Sequence, residues 1–164
     1  METTVKTAVT LKSSTFNMSE PREYFINPGC FGDDLAKWLA EQLRSKGYQA
    51  SEVPGQEDFG WYFTFVESGV EHCFVIGLRP GDDDAEDLWI GWLERSRGFV
   101  ASVLGGRQRD IQPDAAWAIH KILSSSPQIQ EVRWHLRRDF DSGREEIGTP
   151  TPSSDQQPSF SASC

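Results

Sequence analysis

Four segments between residues 48 and 94 carry the strongest structural signal in the chain, because their apolar side chains recur with a period of about two. Such alternation is typical of β-strands. The segments are residues 48–53, 61–66, 70–78 and 88–94. The last, LWIGWLE, is apolar on both faces and predicts a central strand, while Ser68 and Gly69 predict the turn of a hairpin. Consecutive strands of this kind predict a sheet, whose apolar face needs a covering layer.

Two amphipathic helices are predicted to supply that layer. Leu35, Leu39 and Leu43 lie on one stripe of the first helix, residues 33–46. The second helix, residues 113–124, has a side rich in alanine and isoleucine and begins with proline, which suits a first helical turn.

Short strands at residues 24–26 and 128–136 complete the predicted order β-α-β-β-β-β-α-β. The fold class is therefore α+β, a two-layer sandwich with an antiparallel or mixed sheet and two main helices. Folds of this class host many unrelated activities, so the fold alone does not identify a function.

Composition divides the chain into three parts. Residues 1–20 are rich in Thr and Ser and are interpreted as an N-terminal arm or an edge strand. Residues 21–138 are interpreted as a single α+β domain. Residues 139–164 end in a stretch rich in Ser, Pro and Gln with little to bury, so they are predicted to form a disordered tail.

The termini and cysteines bear on the compartment. The first residues lack the apolar core of a signal peptide, and no apolar run approaches the ~20 residues that a membrane span needs. Cys30, Cys73 and Cys164 are widely spaced and include no CxxC pair, unlike a disulfide framework. These features predict a cytoplasmic protein without a membrane segment.

Charge is unevenly distributed. The net charge is −9, made up of −10 over residues 1–94, +5 over residues 95–138 and −4 over the remainder. The acidic balance argues against general nucleic-acid binding. The densest acidic cluster contains Asp82, Asp83, Asp84, Glu86 and Asp87. Its spacing does not match a calcium loop, so we interpret it as either a solvated loop or an acidic protein-binding patch.

The positive middle region suggests a different site. Arg95, Arg97, Arg107 and Arg109 surround several glycines, and arginine suits bidentate contact with phosphate or carboxylate. No phosphate-loop motif is present there. Contact with an anion or a nucleic acid through this segment is therefore an alternative prediction.

Signals for catalysis are weak. The sequence contains no zinc-binding histidine spacing and no GxSxG nucleophile motif, so we predict no catalytic residue, metal or cofactor. One alternative is a small-molecule binder or an enzyme, with a pocket on the sheet face lined by His72, Arg133 and His135. His72 and its neighbour Cys73 point to opposite faces of a strand and do not form a pair.

The aromatic content is unusual, with six Trp, ten Phe and three Tyr. These rings either fill a thick core, or lie under a long loop, or form an exposed face that two helices leave open; the leading prediction takes the exposed face, with Trp61 and Trp89 on it. Glu57, Asp58 and the acidic cluster would form its rim. The leading prediction is a non-enzymatic module that binds another, basic protein. In size, charge and fold class the chain is similar to small acidic bacterial immunity and inhibitor proteins, although it shares no motif with them.

Overall fold

The computed structural model describes residues 5–58, 60–95 and 111–153. Within these ranges the chain forms a six-stranded sheet with every pairing antiparallel. The strands are β1 (Ala8–Lys12), β2 (Gly55–Glu57), β3 (Gly60–Glu67), β4 (Val70–Arg79), β5 (Leu88–Arg95) and β6 (Gln130–His135), in the spatial order β2-β3-β4-β5-β1-β6. The helices are α1 (Asp33–Ser45), α2 (Pro113–Ser125) and α3 (Arg137–Asp141), followed by a 3-10 turn at Glu145–Ile147. The predicted α+β class is confirmed, and the predicted order β-α-β-β-β-β-α-β fits roughly, with two strands at other positions.

Two strands lie elsewhere than predicted. The first strand of the order is β1, which pairs with both β5 and β6 inside the sheet, rather than residues 24–26, which form turns and bends. Apolar Val9 and Leu11 alternate with polar Thr10 and Lys12 along this strand, which fits the strand alternative for residues 1–20, but β1 lies inside the sheet rather than at its edge. Residues 48–53 contribute only the bridge between Ala50 and Phe65, and the second strand is the three-residue β2.

The core lies between the two long helices and one face of the sheet. Alternation along β3 turns Trp61, Phe63 and Phe65 toward this face. Trp89 on β5 and Trp134 on β6 point the same way and have no exposed surface. Helix α1 packs its leucine stripe against these rings, and α2 adds its alanine- and isoleucine-rich side.

The second face of the sheet carries residues 137–153, which we call the C-terminal segment. Thr149 exchanges two backbone hydrogen bonds with Trp134 of the edge strand β6, at N···O distances of 2.6 and 2.8 Å. Glu145 pairs with Arg79 of β4 on this face. The end of the segment reaches the helix layer, where the Trp117 indole of α2 donates to Ser153 Oγ over 3.1 Å.

The C-terminal segment corrects the predicted domain boundary. We expected disorder from residue 139 onward, but residues 139–153 pack against the sheet. The prediction failed because composition measures how much a segment can bury, whereas this segment is held by backbone hydrogen bonds to a sheet edge. The rest of the predicted tail, residues 154–164, lies outside the described residues.

Candidate functional site

The predicted aromatic face is not exposed. Trp89 is fully buried and Trp61 is 5% exposed, because both point into the layer covered by the helices. Trp117 and Trp134 are also buried, and Trp38 and Trp92 are half-buried. On the second face, the Arg137 guanidinium of the C-terminal segment lies 5.0 Å from the centre of the Trp92 ring. The expectation of an open tryptophan-bearing face is therefore wrong for Trp61 and Trp89.

The predicted acidic residues gather at one end of the sheet. Glu57 ends β2 and Asp58 lies in the turn to β3, while the acidic cluster belongs to the loop from β4 to β5. In an antiparallel sheet of this order, both connections lie at the same end. The cluster residues, Asp82, Asp83, Asp84, Glu86 and Asp87, are all exposed.

One lysine draws part of the acidic cluster toward the sheet. Lys12 Nζ lies 2.8 Å from carboxylate oxygens of both Glu86 and Glu131. These two contacts raise the pKa of Lys12 to about 12. The cluster is also ordered internally, since Asp87 accepts from Gly81 N over 2.8 Å. The loop is thus a shaped, negatively charged surface, with Glu86 already paired.

The predicted arginine site is mostly outside the described residues. Arg97, Arg107 and Arg109 fall in that part of the chain. Arg95 ends β5, directly across from His72 on β4. The anion-contact prediction stays untested.

The predicted histidine pocket does not form. His72 is fully buried on the helix-covered face, where its ring stacks on Phe65 and its Nε2 accepts from Gln112 N over 3.2 Å. His135 and Arg133 lie on the second face, where His135 is buried beneath the C-terminal segment and the exposed Arg133 donates to Gly148 O. The sheet therefore separates His72 from His135 and Arg133. Burial lowers the pKa of both histidines, so each is held in its neutral form.

A cavity of about 540 Å³ lies at the acidic end of the sheet, beside the start of α1. It is lined by Tyr24, Ile26, Asp33, Lys37, Glu52, Val53, Pro54, Gln56 and Trp61. The lining is mostly apolar, with charged groups at Asp33, Lys37 and Glu52. We call it the apolar cavity.

Exposed apolar side chains concentrate at the apolar cavity. Ile26 is 84% exposed, Val53 80% and Tyr24 62%. Among the described residues, Ile147 is the only other large hydrophobic side chain that is exposed. Scattered exposed apolar residues need no explanation, but three around one cavity make it the candidate site of this molecule.

The floor of the apolar cavity is fixed by hydrogen bonds and ring packing. The Trp61 indole donates to Cys30 O over 2.8 Å, and Gln56 Oε1 accepts from Ile26 N over 2.7 Å. The Trp61 ring lies 5.2 Å from Phe25 and 6.1 Å from Tyr24, measured between ring centres. The loop that carries Tyr24 and Ile26 is thereby fastened to β2 and β3, so the cavity is largely preformed.

Asp33 is the polar feature of the apolar cavity. It is only 9% exposed, and its Oδ2 accepts a hydrogen bond from the Tyr24 hydroxyl. Donation to this carboxylate raises the pKa of Tyr24 to about 12. Asp33 Oδ1 is buried and has no hydrogen-bond partner among the described residues.

Sequence reasoning missed the apolar cavity because it assigned residues 24–26 and 48–53 to strands. A usable signal was present. Ile26 precedes Asn27-Pro28-Gly29, and Val53 precedes Pro54-Gly55. Turn sequences end a strand, so apolar residues beside them have no sheet neighbours to bury them.

Two general properties bear on the kind of site. Across the described ranges, no three His, Cys, Asp or Glu side chains come together as a metal-ligand set. None of the helices in those ranges has the length and apolar character that a membrane crossing needs.

No protein-family model matches the chain, and comparisons with curated proteins and with solved structures find no significant similarity. Function is therefore inferred from the geometry of the chain itself.

Proposed function

We propose that this chain is a non-enzymatic, cytoplasmic protein-binding module that engages a basic segment of another protein at the apolar cavity. The observation that carries the proposal is the grouping of Tyr24, Ile26 and Val53, all more than half exposed, around one cavity in an acidic part of the molecule. Trp61 is the floor of this surface rather than an exposed anchor.

The apolar side chains supply the affinity in this proposal. Covering a fully exposed Ile or Val side chain contributes about 1.5–3 kcal/mol by the usual area relation. Ile26 and Val53 are exposed enough to deliver most of that amount. The fixed floor adds to it, because a preformed site loses little conformational entropy when a partner binds.

Charge supports a basic rather than an acidic partner. Residues 20–37 and 52–61, which contain every residue of the cavity lining, include seven Asp and Glu against two Lys and Arg. The Asp82–Asp87 loop adds negative charge at the same end of the sheet. A surface of one sign attracts oppositely charged partners and speeds their association, with a strong dependence on salt.

A small organic ligand is the second candidate. The cavity volume of about 540 Å³ falls within the range of roughly 300–1,000 Å³ that is typical of ligand pockets. This candidate replaces the predicted histidine pocket as the place where a small molecule would bind.

Short synthetic peptides test the proposal. We expect a leucine–lysine peptide to bind about tenfold more tightly than the matching leucine–glutamate peptide, and to weaken as salt rises. A serine–lysine peptide without apolar side chains should bind weakly. Equal affinity for the lysine and glutamate peptides would contradict the proposal.

Paired variants locate the binding surface. The double substitution Ile26→Ser with Val53→Ser should lower affinity for the leucine–lysine peptide about tenfold or more. Ile147→Ser is the matched control, since it removes an exposed isoleucine that does not line the cavity. An equal loss in the control would show that the peptide responds to general hydrophobicity. Self-association that the double variant abolishes would identify a second copy as the occupant and overturn the proposal.

A further inference from the structure

Asp33 sits in an unusual electrostatic position. It begins α1 directly after Gly32, whose φ of 133° lies in the region that favours glycine. The Tyr24 hydroxyl satisfies one carboxylate oxygen, and the other, Oδ1, has no partner among the described residues. A buried carboxylate oxygen without a donor is costly, so a ligand that brings a donor gains more here than at the surface.

We propose, on the basis of the proposed function above, that the apolar cavity receives an alkyl cation whose charged end reaches Asp33 Oδ1. The source is an Arg or Lys side chain of the partner or a free alkylamine, which share this chemistry. Its methylene stem would lie against Val53 and the Tyr24 ring.

Three features of the lining suit this class of ligand. A carboxylate only accepts hydrogen bonds, and guanidinium and ammonium groups only donate them. The Tyr24 ring adds attraction, because aromatic faces carry partial negative charge. The stem of a long cationic side chain is apolar, and so are Ile26 and Val53 along the cavity.

Lys37 is the one cationic residue of the lining. It lies one helical turn after Asp33, yet Asp33 Oδ1 remains unpaired. Its side chain is exposed, and Glu52 contributes an opposing charge to the same lining. The lining as a whole carries a net negative charge, which favours a cation over an anion.

Contact with Oδ1 requires a small rearrangement, since that atom is covered from solvent. Tyr24 is the side chain best placed to yield, because it is 62% exposed. A small shift of this ring, which stays alongside the methylene stem, would admit the cation to Asp33 Oδ1.

Small probes test the inference directly. Butylguanidinium and pentylammonium are titrated against 1-pentanol, and binding is followed by the NMR signals of Ile26 N–H and the Trp61 indole. We expect both cations to bind about tenfold more tightly than the alcohol, as a charged hydrogen bond predicts. Equal binding of the alcohol and the cations would overturn the inference.

Charge-matched variants assign the effect to Asp33. Asp33→Asn should weaken cation binding about tenfold and leave pentanol binding unchanged. Glu41→Gln is the control, because it removes the same charge from an exposed position of α1 outside the cavity. An equal loss of cation affinity in both variants would show that the cation responds to the overall negative charge rather than to a site at Asp33.

Tyr24→Phe covers the case in which Asp33→Asn fails to fold. It keeps the ring and releases the second carboxylate oxygen, so cation binding should persist or rise about twofold. Loss of cation binding in this variant would assign recognition to the phenol and contradict the inference.

The failure of the inference and that of the proposed function are distinguishable. If leucine–lysine peptides bind through Ile26 and Val53 but no alkyl cation binds at Asp33, the inference is wrong and the protein-binding proposal stands. If neither peptides nor cations bind, both are wrong. Putrescine binding more tightly than any lysine peptide would identify a free amine as the source of the cation.

Discussion

The second face of the sheet and the apolar cavity both contain a buried polar atom without a hydrogen-bond partner, but their surroundings differ. His135 Nδ1 lies under the C-terminal segment, where a Cβ on Gly148 would come within 2.7 Å of it. Asp33, which carries the unpaired Oδ1, lines a cavity of about 540 Å³. In a filled site, an unpaired atom is a cost that the fold tolerates. Beside a cavity, it marks a place where a ligand can supply the missing bond.

The two regions also differ in how their apolar side chains are covered. On the second face, Val75 is 2% exposed and the Trp92 ring lies beneath Arg137. At the apolar cavity, Ile26 and Val53 are almost fully exposed. Strand residues share a continuous surface that one crossing segment can cover. Residues in separate turns have no such common cover, so they stay available to a partner.

The largest expected effect comes from removing the cover of the second face. Truncation after Leu136 deletes the two backbone hydrogen bonds between Thr149 and Trp134. It also removes Glu145, which pairs with Arg79, and Ser153, which accepts a hydrogen bond from Trp117. We expect the free energy of unfolding, measured by urea denaturation, to fall by about 3 kcal/mol or more. The matched control is a chain truncated after Ser153, which keeps the whole C-terminal segment. Equal stability of the two truncated proteins would refute the role given to the segment.

Gly148→Ala tests how tightly the same region is filled. Its Cβ would lie 2.5 Å from Cε1 of His135, so the substitution should cost about 1–3 kcal/mol of unfolding free energy. Gly29→Ala is the control, because its nearest contact is an ordinary 3.6 Å to Asn27 Oδ1 and the expected change is within about 0.5 kcal/mol. Similar midpoints of thermal unfolding in both variants would contradict the close packing described here.

A smaller effect is expected from acid. Burial lowers the pKa of His135; Glu145 opposes this shift, and Arg133, Lys6 and Arg79 add to it. As pH falls, His135 therefore takes up its proton at a higher pH in the unfolded chain than in the folded protein. The stabilising contribution is complete above the unfolded pKa of about 6.5 and is lost as pH falls through that value toward the folded pKa.

Substitution of His135 isolates this contribution. Between pH 7 and pH 5, His135→Gln should lose less stability than the unmodified protein. His72 and His120, whose pKa values burial also lowers, remain in the variant, so the dependence should be reduced rather than abolished. Unchanged slopes of unfolding free energy against pH would show that His135 does not carry this effect.

The smallest change in stability is expected at the apolar cavity. Ile26→Ser with Val53→Ser removes side chains that are already in water, so unfolding free energy should stay within about 0.5 kcal/mol. A loss as large as that of Gly148→Ala would show that these side chains are packed rather than available, which would remove the contrast between the two regions.

Local patterns in the sequence were enough to predict the helices and the central hairpin. Residues 33–46 and 113–124 differ from α1 and α2 by one residue each, and the Ser68-Gly69 turn joins β3 to β4. Strand β1 was predicted only as an arm or an edge strand, because nothing local in residues 8–12 shows that β5 and β6 both pair with it.

The site was harder to predict because its exposure depends on long-range packing. The sequence around Trp89 does not show that two helices cover this residue. Likewise, the sequence around Val53 does not show that this side chain stays uncovered. Of the predicted partner-binding residues, Trp61 does line the cavity, but as its buried floor, and the role of Glu57 and Asp58 stays a prediction. The cavity itself arises where the loop that holds Tyr24 is fastened to Trp61, residues that lie far apart in the chain.

The most direct test follows indole N–H signals of the six tryptophans while the leucine–lysine peptide is added. The Trp61 indole lies at the cavity floor and Trp92 on the second face. We predict that the Trp61 signal shifts together with the amides of Ile26 and Val53, and that the Trp92 signal stays in place. Movement of Trp92 with Trp61 unchanged would place binding on the second face and contradict the account.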